Sequence, residues 1–156
     1  MSVVSAEKNF RKGLESFADE SYLDAAMYFR RAMDIEHQRR VPHPDMRFLS
    51  YYGLCRAKAH GKIQEGLHAC KRAALVRKQD PEMYLNLGRV YLMSRQKQLA
   101  YRAFQTGLDI DPGHETLSLE SDRLEKRLPR SALSRRGPGL LSRMRSALSR
   151  SPEPPR

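Results

Sequence analysis

The side chains best equipped for chemistry in this chain are five histidines and two cysteines. His37, His43, His60, His68 and His114 fall on separate stretches, and none stands in the His-Glu-x-x-His spacing that puts two ligands and a base on one helical face. Cys55 and Cys70 lack the Cys-x-x-Cys spacing of a metal knuckle or redox pair. There is no Gly-x-Gly-x-x-Gly run and no phosphate-cradling loop. No nucleophile can be paired with a base by spacing. The expectation is a protein without catalytic residues, cofactor or metal. Its chemistry is then that of a surface, and two stretches offer one.

The first is the C-terminal segment 129–156. It holds seven arginines (Arg130, Arg135, Arg136, Arg143, Arg145, Arg150 and Arg156) against Glu153 alone, which accounts for +6 of a net charge of +11. A hexapeptide, RSALSR, occurs at 130–135 and again at 145–150. Arginine interspersed with serine suits phosphates, with a steep salt dependence. Arginine beside Leu140, Leu141 and Met144 equally suits an anionic membrane surface. Aromatic residues that would stack on bases are missing. Arginine, serine, proline, glycine and leucine make up most of the segment, so it reads as a solvated, disordered tail unless a partner orders it. Arg135, Arg136, Arg143, Arg145 and Arg150 are its candidate contacts.

The second is the helical part that must precede the tail. Residues 80–114 show its unit. Asp80 is placed to accept from the free amides of a helix start, and Pro81 at the first helical position loses no hydrogen bond. Tyr84, Leu87, Gly88 and Tyr91 recur at helical spacing. Ser94 is placed to cap a second helix whose face is Ala100, Phe104 and Gly107, and the Asp-Pro-Gly at 111–113 stops it. Small residues at Gly88, Ala100 and Gly107 let two antiparallel helices approach, with the rings filling the space around them.

This stretch resembles the tetratricopeptide repeat family, with Tyr84, Leu87, Gly88, Tyr91, Ala100, Phe104 and Pro112 on the family's positions. Gly107 stands where the family prefers alanine, and Arg95 where it often has glycine. The run from Arg47 to Cys55, with the hairpin after it, is similar to small stand-alone bacterial members. The resemblance implies an all-α solenoid of three helix-turn-helix hairpins (about 6–39, 47–80 and 81–114) with a capping helix at about 115–128. The repeat domain is then 1–128 and the tail 129–156. In repeat one, Gly13, Phe17, Tyr22, Ala25, Phe29 and Ala32 take the expected places, and Ser21 with Asp24 reads as a capping box. In repeat two, Cys70 replaces an aromatic. Either Leu54 or, with one extra residue before Gly61, Gly53 takes the glycine position. The extra residues between repeats one and two, around Val41-Pro42-His43-Pro44, form a protruding extended loop.

In that family the first helix of each repeat lines a concave groove. By position the resemblance assigns the groove to Phe10, Leu14 and Phe17, to Phe48, Tyr51 and Lys58, and to Leu85, Asn86, Arg89 and Leu92, with Glu7, Cys55, Glu82 and Met93 beside them. Such a groove is mostly apolar. Phe10 and Leu14 stand where a carboxylate clamp needs polar groups, and Glu82 repels a carboxylate. It suits an amphipathic helix or an extended apolar peptide. The alternative is that Phe10, Phe17, Phe48 and Leu85 are ordinary core between repeats. The expected function is a non-enzymatic protein-binding scaffold with a protein or peptide partner. Self-association is also open, with Leu140, Leu141, Met144 and Leu148 of the tail filling the groove. The competing class is a nucleic-acid or membrane-surface adaptor working through the tail. The first ten residues do not read as a secretory signal, and no run reaches the length of a membrane span, so a cytoplasmic protein with reduced thiols is expected.

Overall fold

The computed structural model describes residues 5–133. These residues form seven α-helices: α1 (Ala6–Ala18), α2 (Tyr22–Gln38), α3 (Met46–His60), α4 (Ile63–Val76), α5 (Pro81–Met93), α6 (Lys97–Ile110) and α7 (Glu115–Glu125). A short 3-10 turn, Arg130–Ala132, follows, and no strand occurs among the described residues. Consecutive helices pack as hairpins α1/α2, α3/α4 and α5/α6, and each second helix also packs on the next first helix. The chain is therefore an all-α solenoid of three hairpins, with α7 covering the end of the last.

Each first helix opens on a side-chain cap. Ser5 accepts from the Lys8 amide at 3.0 Å, Asp45 from Arg47 at 2.9 Å and Asp80 from Glu82 at 3.1 Å. Second helices open differently. Ser21, Lys62 and Gln96 precede them without a side-chain cap bond. The residue before each, Glu20 (φ 59°), Gly61 (φ 64°) or Arg95 (φ 61°), is left-handed. After α1 and α5 the turn closes through backbone bonds, Ser21 N–H to Ser16 O and Gln96 N–H to Tyr91 O, both 2.9 Å. This corrects two sequence expectations. Ser21 sits at the start of α2 but its hydroxyl caps nothing, and Ser94 belongs to the end of α5, where its hydroxyl donates to Tyr91 O at 2.8 Å.

The register of repeat two is settled. Gly13, Gly53 and Gly88 each stand eight residues after the cap of their helix, so Gly53 is the packing glycine. The extra residue lies between Gly53 and the left-handed Gly61, eight residues apart against seven from Gly13 to Glu20 and from Gly88 to Arg95. α2 has 17 residues against 14 in α4 and α6, and the connection carrying Pro42 and Pro44 follows it.

Two cores result. The first is aromatic: Phe10 lies 5.6 Å from Phe29, 5.0 Å from Phe48 and 5.7 Å from Tyr51 between ring centroids. The second runs from hairpin two to α7 and is made of Leu54, Ala57, Cys70, Ala73, Met83, Tyr84, Leu87, Phe104 and Leu117 with their neighbours. Two buried polar contacts converge on Ser50 beside it, Asn86 Nδ2 donating to Ser50 Oγ at 3.2 Å and Cys70 Sγ to Ser50 O at 3.3 Å.

α7 buries Leu117, Ser121 and Leu124 and exposes Asp122, Arg123 and Glu125, as a capping helix with a polar face should, with Leu119 exposed among them. Order continues past 129, where the sequence had placed the start of the tail. Leu128 and Leu133 pack against the core, and Gln98 Nε2 donates to Ala132 O at 3.3 Å, because two leucines five residues apart give the segment apolar area to bury. The tail arginines Arg135, Arg136, Arg143, Arg145 and Arg150, and the apolar set Leu140, Leu141, Met144 and Leu148, lie outside the described residues.

Candidate peptide-binding groove

The first helices lie side by side. Phe10 of α1 touches Phe48 and Tyr51 of α3, and α3 packs directly on α5. The residue cap plus two marks one end of this face. There Arg47 joins α1 to α3: its guanidinium meets Glu7 at 3.1 Å and Asp45 at 2.6 Å and lies over the Phe10 ring at 4.8 Å. Burial opposes charge on Asp45, but the hydrogen bonds from Arg47 prevail and hold its carboxyl below the usual range. Glu82 does the same between α3, α5 and α7. One of its oxygens accepts from Tyr51 Oη at 3.0 Å and the other meets His114 Nε2 at 2.8 Å. His114 Nδ1 accepts from the Leu117 amide at 3.3 Å, so the ring caps α7 and the hydrogen bonding places its proton on Nε2. Burial, and then the Glu82 charge, push the Tyr51 phenol far above its ordinary value, so it acts as a donor and not as an acid.

The other end of the face is less polar. Leu14 and Arg89 stand nine residues after their caps, Phe17 and Leu92 twelve, and Lys58 and Met93 thirteen. Leu14, Phe17, Leu92 and Met93 are half-buried, and Lys58 is exposed with its ammonium 4.7 Å from the Tyr22 ring centre. Arg89 approaches Glu120 of α7 at 3.9 Å.

The residues assigned to the groove from sequence therefore divide. Leu14, Phe17, Tyr51, Lys58, Arg89 and Leu92 keep accessible surface. Phe10, Phe48, Leu85 and Asn86 do not: they are 3%, 2%, 3% and 0% exposed, as is Cys55 at 0%. These five are inter-repeat core. A first helix packs against its own partner and against the next repeat, so its apolar stripe is wider than one face. Arg47 and His114 were absent from the sequence-based set. Arg47 was readable only as the start of α3. The signal for His114 was its place at the cap position after Asp-Pro-Gly.

Among the described residues no group of three or more His, Cys, Asp or Glu is placed to hold a metal ion. Both cysteines are buried and unpaired with each other, and burial pushes each thiol up to about 12. No helix of the described residues is long and apolar enough to cross a membrane.

No family model and no curated protein matches the sequence. Solved structures do match. The chain is similar to the TPR (tetratricopeptide repeat) domain of Arabidopsis OM64, with TM-score 0.62 and 17% identity over 79% of this chain and 96% of that one. It is similar to the TPR domain of Sgt2 from Aspergillus fumigatus, with TM-score 0.65 and 14% identity over 85% of each. It is also similar to PcrH from Pseudomonas aeruginosa, with TM-score 0.58 and 15% identity over 86% of this chain and all of that one. With three glycine-packed hairpins and a terminal cap, the chain has the fold of tetratricopeptide-repeat domains.

Proposed function

We propose that this protein is a non-enzymatic scaffold that holds an apolar helix or extended peptide of a partner protein on the face of α1, α3 and α5. The observation that carries the reading is that Leu14 and Phe17 of α1 and Leu92 and Met93 of α5 stay half-buried on either side of α3, where the matching Leu54 and Ala57 are sealed and Lys58 is exposed, with Arg89 beside them. Large apolar side chains left part-exposed are the ordinary anatomy of a helix-binding groove. The polar end, where Glu7, Arg47, Tyr51, Glu82 and His114 satisfy one another, holds the helices at fixed spacing. Glu82 takes up the Tyr51 and His114 donors, so neither is left for a partner carboxylate.

A photo-crosslinking side chain at Lys58, compared with one at exposed Gln64 on α4, tests this in extract of the source cells. Discrete adducts at 58 that vanish when Leu14→Asp and Leu92→Asp are added support the groove. Equal adducts from both positions, or none from 58, overturn it.

The second reading keeps the arginine-rich C-terminal segment as an adaptor for nucleic acid or anionic membrane, on the strength of its seven arginines against one glutamate. Binding to DNA, RNA or anionic vesicles that falls steeply with salt and disappears on truncation at Pro129 favours it.

A further inference from the structure

The insertion between the first two hairpins builds a feature apart from the face of the first helices. The last turn of α2 closes on Arg40, left-handed at φ 50°, with the Val41 amide donating to Glu36 O at 3.1 Å. Between this extended end of α2, the return to α3, and α4 lies a half-open cavity of about 300 Å³. That is the lower end of the range for ligand pockets, roughly 300–1,000 Å³. Its floor is apolar, made of half-buried Met33, Val41, Met46 and Leu49. Arg40 and Arg72 stand on its rim and are exposed.

The charges at the cavity are unequal in a way that selects a ligand. Its two acids are outweighed, since Asp45 is ion-paired and Glu36 alone faces two arginines. Glu36 accepts from the Asp45 amide at 2.9 Å, and the Asp45 carboxylate meets Arg47 at 2.6 Å and Arg77 at 3.7 Å. Neither the Arg40 nor the Arg72 guanidinium has a hydrogen-bond or ion-pair partner among the described residues. What remains is an apolar centre with a cationic rim, the arrangement of a protein interface in miniature. The chain's own C-terminal segment has the wrong sign for it, with seven arginines against one glutamate.

We propose that this cavity docks an acidic peptide segment of a partner protein. An apolar side chain of the segment seats among Met33, Val41, Met46 and Leu49, and an adjacent Asp or Glu carboxylate meets Arg40 and Arg72, where planar guanidinium groups bind it bidentately.

Selection of short random peptides on the intact chain, followed by methyl NMR with the selected peptides, tests this. Enriched peptides should carry a bulky apolar residue next to Asp or Glu and shift the Met33 and Met46 methyl signals. They should also lose roughly ten-fold or more in affinity against the double variant Arg40→Glu, Arg72→Glu, in keeping with the loss of charge-assisted hydrogen bonds. Both positions are exposed, so an unchanged far-UV spectrum and melting curve are expected to show the variant folded. The proposal is overturned if acidic peptides are not enriched, if selected peptides shift Leu14 and Leu92 while Met33 and Met46 stay still, or if the folded charge-reversed variant binds them as tightly. The Leu14 and Leu92 shifts would belong to the groove, so the two sites succeed or fail separately.

Discussion

In the first and third hairpins a glycine meets a phenylalanine ring. A methyl group built on Gly13 would fall on the Phe29 ring, and one on Gly88 on the Phe104 ring. The second hairpin has Cys70 where those rings stand, eight residues after the residue that precedes the second helix in all three. There the helices close backbone on backbone. A methyl on Gly66 would lie 2.7 Å from Gly53 O and 3.0 Å from Ala57 Cβ, and one on Gly53 would lie 2.6 Å from Ala69 Cβ. The same hairpin is thus built in two ways. A ring can tilt to admit a methyl group, whereas a carbonyl in a helix moves only with its helix. Hairpin two sits in the middle of the stack, so a shift there also moves α5: the Gly66 methyl would come within 3.3 Å of Val90.

The largest expected effect follows. Gly66→Ala should cost about 3 kcal/mol, the upper part of the range for overpacking, read by denaturant unfolding. Gly88→Ala should cost about 1–2 kcal/mol, since Phe104 yields part of the space. Combining it with Phe104→Leu should give a favourable coupling of about 1 kcal/mol in a double-mutant cycle. Equal losses at Gly66 and Gly88 would erase the distinction between the hairpins.

A smaller effect separates the two cores. The core between hairpins one and two is built of aromatic rings, but the next one contains Asn86, whose Nδ2 donates to Ser50 and whose Oδ1 has no hydrogen-bond partner among the described residues. Ser50→Ala should therefore cost about 1–2 kcal/mol by leaving the whole amide unpaired, while Ser50→Ala with Asn86→Leu should be closer to neutral. A single-variant loss that the double variant repeats in full would show that the pair is not a pair.

The smallest effect is one of slope. Burial pushes the Cys55 and Cys70 thiols from 9.0 up to about 12. Burial also pushes Tyr91 up to about 12. The folded state keeps protons that the unfolded chain releases, so this contribution is complete below about pH 9 and is lost as pH rises towards 12. Unfolding midpoints should fall across that window, and Cys70→Ala should flatten part of the fall. A midpoint independent of pH over the same range would place the thiols in water.

Much of this was legible because it is local. Gly88 with Phe104, Asp80 before Pro81, and the stop at Asp111-Pro112 each lie within one hairpin, where helical periodicity and cap chemistry act. Contacts between hairpins were not legible. Phe10, Phe48 and Leu85 share a face with Leu14 and Leu92 by spacing, and only the rotation of each helix against its neighbour decides which are sealed. α5, enclosed by hairpin two, α6 and α7, buries every residue from Met83 to Gly88, so no polar face remains to orient it. Asn86 finds Ser50 across 36 residues, a pairing that no motif announces. The turns misled for another reason. Ser21 and Ser94 have the right type for caps, but a left-handed residue beside each lets the backbone satisfy itself.

Unfolding of Gly66→Ala with and without Cys70→Ala, set beside Gly88→Ala with and without Phe104→Leu, measures the difference between the hairpins most directly. The expected result is rescue in the third hairpin alone, since shrinking a ring makes room and shrinking Cys70 moves no backbone. Equal rescue in both would contradict it and would mean that side chains, not carbonyls, set the spacing of hairpin two.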